Sequence, residues 1–246
     1  MTYEPFLIEG ADRPSRWLVT CDHASNAVPD FVNGGTLGLA HEDMARHIAY
    51  DVGAAGVARA LGRLLDAPVI CSNFSRLVID PNRGEDDPTL LMKLYDGTII
   101  PGNRHAGPAE LDARLNRLYR PYHTALAEMA ARQPDTIICS VHSFTRQFIG
   151  RPPRPWHVGL LYAVDDRLAK PLLTRLRAEE DLCVGDNEPY SGHLAGDAIA
   201  RHAIAYERAN ILLELRNDLI GTDDQQQSWA ARLTPMLEEA AHRAGI

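Results

Sequence analysis

Four short apolar runs each lead into a group able to bind a metal, move a proton or grip an anion. Residues 18–21 lead into Asp22–His23–Ala24–Ser25–Asn26, and residues 136–141 into His142–Ser143. Residues 77–79 lead into Asp80–Pro81–Asn82–Arg83, and residues 210–213 into Glu214–Leu215–Arg216. Neutral imidazoles such as His23 and His142 are zinc ligands, and a zinc that works on substrate takes a third side chain and leaves a position for water. Asn26, three residues after His23, is the candidate third ligand. Asp22 is the alternative, either on the metal or orienting His23 from behind it. Glu214 interrupts an apolar run, where a carboxylate is costly unless paired or functional. Burial raises a carboxyl pKa toward the range useful for a general base; the competing reading is a salt bridge to Arg216. Arg83 with Asn82 can fork onto a substrate carboxylate. Arg104, Arg146, Arg151 and Arg154 lie in loops that could border the same cleft, and Tyr190 could cover it. Arg216 and Asp218 read as a structural pair.

These groups need elements that bring distant segments together. Bounded apolar runs of this length read as buried strands, and open α/β sheets place ligands beyond the carboxyl ends of their strands. The expected strands are 16–21, 69–71, a further one leading to Asp80, 136–141, 157–163 and 211–215. The expected helices are 43–66, one from Pro108 interrupted at Pro121 and resumed to 132, 166–179, 197–202, and a last one capped by Thr222 or Asp223 and running to about 242. Residues 1–15 read as an irregular lead-in, and 84–107 as a long surface segment with a helical turn near 90–95. Strands alternating with helices predict one α/β domain over 1–246, a three-layer α/β/α sandwich around a mostly parallel mixed sheet.

Composition limits the function classes. The chain has 246 residues, 45% hydrophobic and 24% charged, ordinary for a soluble domain. A net charge of −8 argues against a general nucleic-acid surface, so no nucleic-acid partner is expected. An acidic ligand would then need its own local arginines. No run approaches the roughly 18 apolar residues of a membrane span, and the first ten residues lack a secretory apolar core, so no membrane contact and a cytoplasmic location are expected. Cys21, Cys71, Cys139 and Cys183 form no CxxC pair and read as reduced thiols.

Asp22–His23–Ala24–Ser25–Asn26–Ala27–Val28–Pro29, Asp80–Pro81–Asn82–Arg83, Val141–His142–Ser143–Phe144–Thr145 and Asn187–Glu188–Pro189–Tyr190–Ser191–Gly192, in that order, resemble the N-formylglutamate amidohydrolase family over about residues 17–220. More remotely, His23, Asn82–Arg83, His142–Ser143 and Glu214–Leu215–Arg216 resemble landmarks of the zinc carboxypeptidases. The resemblance implies the zinc-dependent exopeptidase fold and one Zn2+ per chain, with His23, His142 and Asn26 as ligands. Asn26 stands where the carboxypeptidases have a glutamate. It further implies Glu214 as catalytic base and Asn82 and Arg83 as the carboxylate grip; Ser143, Arg146 and Tyr190 complete the expected substrate contacts. The implied reaction is hydrolysis of a small acidic N-acyl amino acid, N-formyl-L-glutamate first. A carboxypeptidase-like peptidase and a non-catalytic carboxylate binder are the alternatives. The sequence leaves the oligomeric state open.

Overall fold

A computed structural model describes residues 3–246. The described residues form nine strands: β1 (Phe6–Glu9), β2 (Trp17–Cys21), β3 (Val69–Ser72), β4 (Leu94–Tyr95), β5 (Thr98–Ile99), β6 (Ile137–Phe144), β7 (Val158–Leu161), β8 (Val184–Asp186) and β9 (Asn210–Arg216). The helices are α1 (His41–Met44), α2 (Ala54–Leu64), α3 (Pro108–Arg114), α4 (Arg120–Ala131), α5 (Ala169–Arg177), α6 (Ala198–His202) and α7 (Asp223–Arg243). Seven strands form one sheet in the order β1-β3-β2-β6-β9-β7-β8, while β4 and β5 pair separately. The central strands β3, β2, β6 and β9 are parallel; β1 joins β3, and β7 joins β9, antiparallel.

The buried central strands are apolar on both faces, as a covered parallel sheet requires. Val19, Cys21, Cys139, Val141, Ile211 and Leu213 pack under α2, α5 and α7. Leu18, Ile138, Leu212 and Leu161 face the opposite layer, which contains α4 and α6. This is the expected sandwich around a mostly parallel mixed sheet. Side chains alternate along a strand, so His142 and Glu214 share the second face with Ile138 and Leu212. Cys21, Cys71 and Cys139 are buried free thiols, as expected. No helix of the described residues is long and apolar enough to cross a membrane.

Several elements differ from expectation. Residues 6–9 are an edge strand rather than irregular chain. The expected helix 43–66 is two helices, separated by residues 45–53. Gly53 ends the break with φ +82, and a Cβ there would stand 2.2 Å from the Ile220 carbonyl oxygen, so only glycine fits. Residues 77–79 form a buried turn, not a strand. Its carbonyls are satisfied by side chains instead of a sheet: Asn103 Nδ2 donates to Leu77 O at 2.6 Å and Arg114 Nη1 to Val78 O at 2.7 Å. The turn expected near 90–95 is a hairpin, with Asp96 and Gly97 both at positive φ between β4 and β5, the signature of a tight turn. Pro121 is tolerated because residues 115–119 loosen into a π-helical turn just before it. The final helix carries the expected Thr222 cap, with Gln225 completing a reciprocal capping box.

The loop after β8 lies close against the sheet because β7 and β8 each carry a glycine beneath it. A Cβ on Gly159 would stand 1.9 Å from Glu188 O, and one on Gly185 2.6 Å from the same atom. Asn187 folds the loop, its Oδ1 accepting from Tyr162 N at 3.1 Å and Gly192 N at 3.0 Å. Replacing Gly159 with Ala must lift this loop. The expected cost is about 2 kcal/mol, read by thermal melting as a fall in Tm of roughly 4–8 °C; an unchanged Tm would show that the loop is not seated on β7.

Candidate active site

The parallel pairing of β2 with β6, and of β6 with β9, sets the site. His23 follows β2 by two residues, and His142 and Glu214 face each other across β6 and β9 as register partners. His142 thus lies inside its strand, which runs to Phe144, rather than beyond its end. The break between α1 and α2 delivers Asp51, whose backbone N–H donates to His23 O at 2.9 Å. The His23 and His142 rings stand edge to face with centroids 4.9 Å apart.

One oxygen joins them. Asp51 Oδ2 lies 2.8 Å from His142 Nδ1 and 3.3 Å from His23 Nδ1, and accepts from Ser143 N at 3.3 Å. The far nitrogen of each ring meets a second carboxylate: His23 Nε2 lies 2.7 Å from Asp80 Oδ1 and His142 Nε2 3.2 Å from Asp22 Oδ2. Asp22 also accepts from Tyr122 Oη at 2.5 Å. Arg76 Nη2 donates to Asp80 Oδ2 at 2.9 Å and Nη1 to Asp51 Oδ1 at 3.3 Å. All of these side chains are buried.

This donor set fits a divalent metal. His23, Asp51 and His142 each offer one atom, all within 4.8 Å of one another. Donors about 2.0–2.1 Å from a tetrahedral centre stand about 3.3 Å apart, which matches the Asp51–His23 separation, while the 2.8 Å to His142 is shorter. Each imidazole has its other nitrogen on a carboxylate, the arrangement that fixes the tautomer of a metal-binding histidine. Three buried carboxylates against one guanidinium leave two negative charges when both imidazoles are neutral, which a divalent cation balances.

The same carboxylates act on the His142 imidazole. Burial pushes its pKa down, but the bonds to Asp22 and Asp51 prevail and hold it well above the ordinary range. Burial likewise raises Asp80, yet Arg76 and His23 hold it well below the usual carboxylate range. Asp51 and Asp22 are lowered in the same way by the imidazoles beside them.

The cluster opens into a cleft of about 330 Å³. Glu214 lines it, 6% exposed, and burial together with the Asp51 charge pushes its pKa up to about 8, against the opposing pull of His142 and Arg76. Its Oε2 is buried without a partner among the described residues. Asn82 and Arg83 form one wall. Asn82 Oδ1 accepts from Ala198 N at 3.1 Å, and Arg83 is anchored by Thr89 Oγ1 at 3.1 Å and Asn82 O at 2.8 Å. Asp197, which caps α6, also lines the cleft, and desolvation raises its pKa to about 6. Tyr190 covers the opposite side, its hydroxyl accepting from Arg154 Nη1 at 2.9 Å.

The structure therefore brings together His23, His142, Glu214, Asn82, Arg83, Ser143 and Tyr190. Ser143 donates its hydroxyl to Val52 O at 2.8 Å, so it also ties β6 to the Asp51 segment. Asn26 does not join them. It is exposed and donates to Met44 O at 2.8 Å, because the chain turns outward after His23. Asp51 takes the place expected of it, and Asp22 stands behind His142 rather than His23. Arg146 is also exposed and does not line the cleft. Of the four loop arginines, Arg154 packs closest, its guanidinium over the Phe144, Phe148 and Tyr190 rings. Asp51 and Arg76 escaped the sequence reading. Asp51 was hidden in a helix-like apolar period, and the one signal that could have exposed it is Gly53, a breaker two residues on.

Residues 15–221 match the model of the N-formylglutamate amidohydrolase family. No curated protein matches the chain. A gene product of Agrobacterium tumefaciens of known crystal structure is 32% identical, with a TM-score of 0.93 over 99% of this chain and 97% of that one. The crystal structure of N-formylglutamate amidohydrolase from Ralstonia eutropha is 24% identical, with a TM-score of 0.74 over 98% and 99% of the two chains.

Burial of Glu214 has a measurable cost. A carboxyl whose folded pKa lies above its unfolded value stabilises the fold fully below the unfolded pKa of about 4.3, and this stabilisation is lost as pH rises through about 8. Chelator-treated Glu214→Gln lacks that loss. Its Tm should gain on the chelator-treated parent by about 5 °C or more between pH 5 and pH 9; parallel melting curves would mean that Glu214 ionises freely.

Proposed function

The chain belongs to the N-formylglutamate amidohydrolase family, and we propose on that premise that it hydrolyses the amide of a small acidic N-acyl amino acid, N-formyl-L-glutamate first, with a divalent metal held by His23, Asp51 and His142. The observation that carries this reading is Glu214: a buried carboxyl with an unpartnered oxygen, on the strand beside His142 and facing the same cleft. When bound, a divalent cation supplies a Lewis acid that acidifies water and polarises an amide carbonyl. A cation beside Glu214 also favours its ionised form, offsetting the effect of burial.

The chain's own groups do the rest. Glu214 takes a proton from the attacking water and delivers it to the amine nitrogen as the C–N bond breaks. The products are the acyl carboxylate and the free amine of the amino acid. Arg83 and Asn82 hold the substrate carboxylate, so that the N-acyl carbon is presented to Glu214 and the metal ligands; fixing that geometry lowers the entropic part of the barrier. Tyr190 and its loop narrow the access of bulk water.

Three measurements test the reading. Zinc-loaded protein should contain about one metal per chain and release glutamate from N-formylglutamate faster than it cleaves short peptides; the reverse order would favour a peptidase. Glu214→Gln should keep its metal while kcat falls about 100-fold or more; near-normal turnover removes Glu214 as the base. Arg83→Gln should raise KM about tenfold or more with a smaller change in kcat, as expected for a residue that binds ground and transition states alike; an unchanged KM places the carboxylate elsewhere.

A further inference from the structure

Arg76 is held on both sides. Its backbone N–H donates to Ala49 O at 3.2 Å, and its neighbour Ser75 donates to the same oxygen through Oγ at 2.7 Å. These bonds tie it to the segment that carries Asp51. Its buried side chain lies over the Tyr95 ring with the guanidinium carbon 5.5 Å from the centroid. Both terminal nitrogens go to carboxylates that serve the metal-binding cluster: Nη1 to Asp51 Oδ1 and Nη2 to Asp80 Oδ2.

The two bonds do different work. Asp51 has two oxygens, and Arg76 occupies Oδ1, so Oδ2 alone faces both Nδ1 atoms. Asp80 is likewise gripped through Oδ2, so its Oδ1 meets His23 Nε2. One rigid fork thus sets the rotation of a ligand carboxylate and of the carboxylate that fixes the His23 ring. A lysine offers one nitrogen on a flexible stem where the guanidinium offers two in a fixed plane, so it does not set both rotations at once.

We propose that Arg76 is a positioning residue for the metal site, holding Asp51 to a single coordinating oxygen and locking His23 through Asp80. This rests on the reading of His23, Asp51 and His142 as the ligands. It assigns a role through Asp51 and Asp80 to a residue that also lines the cleft.

The test compares zinc affinity, by chelator competition, in the parent protein, Arg76→Lys, Arg76→Met and Arg132→Lys. Arg132 is the control, an arginine that ties Arg13 O and Trp17 O at the end of β2 away from His23. Loss of a group behind the ligands costs about 10–100-fold in metal affinity. Both Arg76 variants should show that loss, and Arg76→Lys should not rescue it, while Arg132→Lys lowers Tm but leaves zinc affinity within about twofold. Equal zinc affinity in the parent and in Arg76→Lys would overturn the inference while leaving the metal site standing. A parent protein that takes up no zinc would overturn both. Should the variants fail to fold, a zinc-soaked crystal of the parent decides: Asp51 bound through Oδ2 with Arg76 still on Oδ1 supports the inference, and Asp51 bound through both oxygens with Arg76 displaced overturns it.

Discussion

The imidazole–carboxylate cluster converges on one oxygen, Asp51 Oδ2, shared by two imidazoles from different segments and by the Ser143 amide. A buried carboxylate with so many donors can exist only where several segments are fixed at once. The order β3-β2-β6-β9 brings His23, His142 and Glu214 side by side, and the break before α2 carries Asp51 down to them. The outer carboxylates, Asp80 and Asp22, keep the rings from turning away. Removing any one partner would leave a buried charge uncompensated, which is far more destabilising than the intact network is stabilising.

The same network explains why so much charge is tolerated in the interior. Asp22, Asp51 and Asp80 are each opposed by an imidazole, and two of them by Arg76 as well, so no carboxylate is isolated. Glu214 differs. It lies beside the network without a direct hydrogen bond to it at Oε2, and its pKa rises where those of the aspartates fall. Two sets of carboxyl groups are thus pushed in opposite directions within one cleft, the kind of separation on which distinct acid and base roles rest.

Much of this was legible in the sequence where a signal was local. Apolar runs ending in His23, His142 and Glu214 gave three of the central strands, and the Thr222 cap located the last helix. The Asn82–Arg83 pair was found although its supposed strand is a buried turn, because Asn103 and Arg114 replace the sheet's hydrogen bonds at long range and no periodicity reports that. Asp51 was missed for a related reason. Residues 48–52 keep the apolar spacing of a helix while the backbone follows contacts to His23, Ser75 and Arg76 that are distant in sequence. Asn26 misled because spacing from His23 says nothing about which way the chain turns after the strand.

The bare glycines beneath the loop that ends in Tyr190 carry a last implication. The roof of the cleft is shaped from its back, by Gly159 on β7 and Gly185 on β8, and not only by the groups that face the substrate. Divergent members of such a fold can therefore widen or narrow their entrance through replacements in the strands behind the loop, at positions that an engineer inspecting only the inner walls would pass over.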